Sequence, residues 1–224
     1  MRLVTRWGIV GLVAAIAAGC GASSRGRTLS DDDLQRITSV RPTTPGWAWP
    51  QDPVPPPSSQ PSQPSPSLES ATRSPDPLEV ALDRQLADVG GVVASGGWRW
   101  QDDAKLGTTL AWLLTNPAGA GKALAAERVF QRGWVERTVG WGQFTDVPVD
   151  GLGDAAWRIQ SDFPGGQEVT YGWRRASLVL QVHIQCIFQT CPSDINAAGR
   201  TWVDAIDKEA MDALDRASRL GRQL

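Results

Sequence analysis

The chain is poor in imidazole and thiol: 224 residues contain 1 His and 3 Cys. His183 therefore stands as the only imidazole base, and no Gly-x-Ser-x-Gly frames a serine nucleophile. No catalytic residue, metal ligand set or cofactor motif is assigned, and the chain reads as not an enzyme. An excess of positive charge is also missing. With 22 Lys and Arg against 24 Asp and Glu, the formal charge is −2, which excludes the basic face that nucleic acid requires. Long apolar runs are absent as well. The stretch from Trp7 to Ala18 falls short of the roughly twenty residues that span a bilayer. Proline is scarce outside one region, since 12 of the 16 fall between Pro42 and Pro77.

What is present begins with an address. Arg2 and Arg6 precede the short apolar run, which closes on Ala17-Ala18-Gly19-Cys20 and passes into Gly21-Ala22-Ser23-Ser24. A positive start, a short apolar core and small residues at the cut form an export signal. Ala17-Ala18-Gly19-Cys20 resembles a bacterial lipobox, which implies cleavage before Cys20 and lipidation of its thiol. Residues 1–19 then form a lipoprotein signal peptide. The expected location is the extracytoplasmic face of the cell membrane, with the N-terminal lipid as membrane partner. Two or three acyl chains hold stably where one holds marginally. Of the 22 cations, 19 are Arg, a compositional bias that points to an actinobacterium.

Residues 20–75 read as a disordered Pro/Ser-rich tether. From Arg41 to Ser74 the chain is dominated by Pro, Ser and Gln, which spans between about 30 Å as a coil and about 110 Å as polyproline II. Ser30 could cap a short helix over Asp31–Ile37, but Leu29, Leu34 and Ile37 offer little to bury, so a solvated turn is expected there. Trp47 and Trp49 are unusual in a spacer; docking on the domain and resting at the membrane interface both remain open.

Residues 76–224 read as a single domain. Asp76-Pro77-Leu78-Glu79 opens a helix carrying Leu78, Leu82, Leu86 and Val89. A strand begins near Trp98, and Leu106–Thr115 alternates as a second. Asn116-Pro117 caps a helix running to about Phe130. Three strands follow as an antiparallel meander: Ala155–Gln160, Val169–Arg174 and Leu178–Gln185. After Pro192-Ser193-Asp194 a last helix carries Ile195, Ala198, Trp202, Ile206, Ala213 and Ala217 on one face. The expected fold class is α+β, an antiparallel or mixed sheet with helices packed mainly on one face. Cys186 and Cys191 are expected to form a disulfide in an oxidising compartment, the rival reading being a redox or metal pair.

Val149-Asp150-Gly151-Leu152-Gly153-Asp154-Ala155-Ala156-Trp157, followed by two more strands and an Ala-rich helix, resembles small exported actinobacterial lipoproteins. The similarity is to LpqN-type lipoproteins of Mog1/PsbP-like fold and to the extracellular sensor domains of PknH-type kinases. It implies an α+β sandwich, no catalytic residues, and binding or sensing at the envelope. Gly151-Leu152-Gly153 itself precedes a strand and not a helix, so it is a tight turn and not a phosphate loop.

Three functional classes follow. The first is a non-catalytic ligand-binding or sensing domain for a glycan or lipid fragment, with Trp98, Trp100 and Trp141 reaching a cleft. The second is an accessory subunit binding a membrane or cell-wall protein complex. The last is an unrecognised hydrolase built on His183 or on paired acids such as Asp102-Asp103 or Asp204 with Asp207, which solvation otherwise explains.

Overall fold

The computed structural model describes residues 29–43, 77–89, 91–101, 104–138, 144–187, 191 and 193–221. Cys20, the signal, most of the Pro-rich stretch, Asp76, Trp47, Trp49, Trp141 and Asp102-Asp103 lie outside them. Four helices and six strands follow in the order α1 (Asp31–Thr38), α2 (Pro77–Asp88), β1 (Val92–Gln101), β2 (Lys105–Leu114), α3 (Pro117–Thr138), β3 (Phe144–Pro148), β4 (Ala155–Phe163), β5 (Gly166–Arg175), β6 (Leu178–Ile187) and α4 (Ile195–Gly221).

The fold is α+β, and its sheet is antiparallel throughout, in the order β1-β2-β6-β5-β4-β3. A hairpin forms one edge. Helix α3 then carries the chain to the far edge, and the β3–β6 meander returns until β6 lies beside β2. The sheet's alternation gives it two different faces. On one, Ala111, Leu113, Val169, Tyr171, Trp173, Leu180, Val182 and Ile184 pack with α4 and α1. On the other, Leu114, Trp157, Ile159 and Val179 pack with α3 and α2. Helices are thus shared between both faces and not gathered mainly on one. β6 is apolar or uncharged on both sides because it is central and covered twice.

The segment expected to be a solvated turn is folded. Ser30 caps α1 in a reciprocal capping box with Asp33, and Leu29, Leu34 and Ile37 are buried in the α4-side core. Thr38 O accepts from Thr109 Oγ1 at 2.6 Å, Gln35 O from Trp98 Nε1 at 3.3 Å, and Val40 O from Trp202 Nε1 at 2.6 Å. The three apolar residues find in β1 and α4 the surface that a stretch of eight helical residues lacks by itself. The folded body therefore starts well before residue 76, and residues 44–76 connect α1 to α2 within it.

Asn116 Oδ1 caps α3 through Gly119 N at 2.7 Å, and Asp194 Oδ1 caps α4 through Ala197 N at 2.9 Å. Gly151 and Gly153 take positive φ, 67° and 56°, as a tight turn into β4 requires. The following Asp154 ties that turn to the β5–β6 hairpin by accepting from Ala176 N at 2.7 Å. Cys186 and Cys191 are disulfide-bonded, with Cα atoms 5.2 Å apart, and join the end of β6 to the approach to α4.

Candidate functional site

The two sheet faces are covered unequally. On the α4 side, Trp98 and Trp100 of β1 pack into the core. On the α3 side, the β1–β2 hairpin reaches beyond its helical cover. Val93 is 54% exposed and Leu110 39%, while Arg99, Thr108 and Trp112 are half-buried. Cross-strand register places Arg99, Thr108, Leu110 and Trp112 on one surface, with Ser95 opposite Trp112, Gly97 opposite Leu110, and Arg99 opposite Thr108, while Val93 lies at the irregularity between Val92 and Ala94. Gly97 keeps the surface open, since a Cβ there would come 2.8 Å from Leu110 Cδ2. The result is a shelf with an apolar floor and one cation.

The shelf runs into a buried polar row. Thr108 lies opposite His183 and His183 opposite Thr170, so Arg99, Thr108, His183 and Thr170 stand in one line across four strands. Strands are spaced about 4.8 Å apart, and burial increases along the line from Arg99 to Thr170. One row towards Trp112, Gln181 lies opposite Leu110. Its Nε2 donates to Glu127 Oε1 at 2.9 Å, which also accepts from Gln131 Nε2 at 3.0 Å. On the other side, Ser161 Oγ donates to Glu168 Oε1 at 2.7 Å. Glu127 and Gln131 come from α3, which roofs the row.

Burial sets the charge state of these groups. It drives the Glu127 carboxyl above its usual range, against hydrogen bonds from Gln131 and Gln181 that favour the anion. It does the same to Glu168 against the Ser161 bond. Burial first, and the nearby Arg99 charge second, lower His183 to about 4. The imidazole is thus neutral at physiological pH, and it shares a 2.8 Å hydrogen bond through Nδ1 with Thr170 Oγ1. Arg99 donates to Gln101 Oε1 at 2.6 Å, and among the described residues no carboxylate pairs with it. The row therefore offers neutral donors and acceptors inside and one uncompensated cation at its mouth.

The residues expected at a cleft fall elsewhere. Trp100 is 2% exposed and meets Trp202 edge-to-face at 5.1 Å. Trp98 shares that face, half-buried against α1. Both are core because α1 covers the strand face they occupy, and Trp141 lies outside the described residues. Asp207 is not a solvated acid: it accepts from Arg175 Nε at 2.7 Å, Arg175 Nη2 at 2.5 Å and Trp173 Nε1 at 3.0 Å. Asp204 does lie at the surface, paired with Arg200 at 2.8 Å. Sequence reasoning missed Arg99, Leu110, Glu127 and Glu168 as a group. A signal existed in β6, whose alternate residues Gln181, His183 and Gln185 give a central strand one polar side.

No family model matches the chain, and no curated protein matches it. Among the described residues, no helix is long and apolar enough to cross a membrane, and no three His, Cys, Asp or Glu side chains converge on a metal position.

Proposed function

We propose that this is a lipid-anchored, extracytoplasmic envelope protein whose α+β body binds a ligand noncovalently on the shelf beside Arg99. The observation that carries the reading is the juxtaposition of a guanidinium that meets no carboxylate among the described residues with exposed apolar floor, leading into a row of uncharged hydrogen-bonding groups. Binding sites characteristically combine such an apolar lining with a few placed polar groups. The row favours holding over turnover. An imidazole lowered to about 4 is a weak base far from neutral pH, where general catalysis is least effective.

The test uses the anionic, apolar dye 8-anilinonaphthalene-1-sulfonate and the folded protein. Saturable binding at one site, lost in Leu110→Asp with the fold retained by circular dichroism, is the expected result. Dye binding that ignores the Leu110 change counts against the shelf. The address is tested separately: Cys20→Ala should move the protein from the detergent-extracted membrane fraction to the medium.

The second reading, an accessory subunit of a membrane complex, draws on chain length. Nine steps separate Cys20 from Leu29, a reach of about 30 Å at most. A lipidated Cys20 would hold the body within range of the extracytoplasmic part of a membrane protein and raise its effective concentration there. In-cell crosslinking from Val93, which captures a protein only under this reading, separates the two.

A further inference from the structure

We infer that the shelf ligand is an apolar carboxylate, its anion on Arg99 and its hydrocarbon body over Leu110 and Trp112; this rests on the shelf being a binding site. Three features of the surface select that chemistry. Arg99 is the only charged side chain in the cross-strand rows that floor the shelf, Ser95–Trp112, Gly97–Leu110 and Arg99–Thr108. It is half-buried, so its charge is less screened than that of a solvated arginine. Its one described hydrogen bond, to Gln101, leaves guanidinium N–H groups for an acceptor. A carboxylate matches that planar fork, which a neutral ligand cannot.

The body of the ligand is set by the neighbouring positions. One row from Arg99, Gly97 presents no side chain and Leu110 is exposed; the next row holds Ser95 and Trp112. A hydrocarbon leaving Arg99 along the strands therefore crosses Leu110 and ends beside Trp112. Further along Arg99's own row, His183 is neutral and Thr170 holds its Nδ1. Of the other ionisable groups on this face, Glu127 on α3 and Glu168 on β5 are driven towards the uncharged acid by burial, Asp146 on β3 is paired with Arg128 of α3 at 2.8 Å, and Arg174 on β5, beside Gly121 of α3, is paired with Asp154. Among the described residues, every acid on this face is thus either driven towards its neutral form or already paired with another cation.

Because the chain has a single histidine, the imidazole resonances of the untagged protein report the row without assignment. A carboxylate on Arg99 offsets the charge that helps keep His183 neutral, so its titration should move upward on binding. The probes are octanoate, 1-octanol and acetate, read by the His183 resonance and by tryptophan fluorescence. Octanoate should bind and shift both signals, with 1-octanol and acetate each at least about tenfold weaker. Arg99→Gln should weaken octanoate by about tenfold or more, the loss expected for a charged hydrogen bond, whereas Arg99→Lys should retain part of the affinity. Equal binding of octanol and octanoate, or octanoate binding unchanged in Arg99→Gln, overturns the carboxylate assignment. If Leu110→Asp still abolishes that binding, the shelf itself stands. If every probe, the anilinonaphthalene dye included, leaves His183 and the tryptophan signal unmoved, both inferences fall.

Discussion

Glu127 shows how a single buried group sets the pH response of the fold. In the unfolded chain it titrates near 4.5, and in the folded protein higher, so the folded state keeps a proton that the unfolded state gives up. That contribution to stability is complete below about 4.5 and is lost as pH rises through the folded value. Glu127→Gln keeps an oxygen for Gln131 and Gln181 and cannot ionise. Urea denaturation should find this variant more stable than the parent at pH 8, with the gap closing towards pH 4.5. His183 works in the opposite sense. Its folded value of about 4 lies below the ordinary 6.5, so acid protonates the unfolded state first. Stability should fall by roughly 3 kcal/mol between pH 6.5 and 4 on this account. His183→Gln, compared with the parent at matched pH, should remove that slope. Ala176, in the β5–β6 turn, has φ 49°, a left-handed conformation that costs a side chain about 1–2 kcal/mol. Ala176→Gly should raise stability by about 0.5–1 kcal/mol in the same assay, after its entropy cost.

At the scale of elements, α4 was the most legible. Ile195, Ala198, Trp202, Ile206 and Ala213 recur at helical spacing, and all are buried. The β4–β6 meander was equally readable from its alternation. β3 was not, because its five residues include Asp146 and Pro148, as suits an edge strand. Its Asp146 instead binds Arg128 of α3, Nε to Oδ1 at 2.8 Å. Helix α3 runs past Phe130 because Val135 is buried and Gly133 lies against Leu78 of α2, a contact invisible to local periodicity. The candidate site was hidden for a related reason. Arg99 sits between two tryptophans, and only register shows that it faces away from them towards Thr108 and His183. α1 was under-read since its partners, Trp98, Thr109 and Trp202, are distant in sequence. Ile37→Ala should therefore cost about 2–4 kcal/mol in urea denaturation, whereas a solvated turn would leave stability unchanged. The link between α4 and β5 depends on Asp207. Asp207→Ala strands Arg175 and the Trp173 indole N–H, and should cost about 2–3 kcal/mol.

For the whole molecule, Cys186–Cys191 is the one covalent cross-link among the described residues. The bond closes a short loop with a sequence separation of 5, so its loss should cost about 2 kcal/mol in the chain-entropy argument. Reduction should lower the denaturation midpoint without unfolding the sheet, which is paired through five ladders independent of it. The Pro-rich stretch also changes role. Both of its ends enter the same folded body, α1 before it and α2 after it, so it links two elements of that body and is not a tether leading up to it. Under the proposed lipidation of Cys20, distance from the membrane is governed by the nine steps from Cys20 to Leu29.

The packing of α1 into the core also makes the chain divisible. If a protease site were placed between Thr43 and Pro77 and cut, the piece bearing Cys20 and α1 would be joined to the remainder by no covalent bond. Leu34 and Ile37, the capped helix, and the bonds from Trp98, Thr109 and Trp202 would still hold it. The two fragments should co-elute on gel filtration and separate only in denaturant, and Ile37→Ala should let them part more readily. With Cys20 lipidated as proposed, the anchor would then be a subunit.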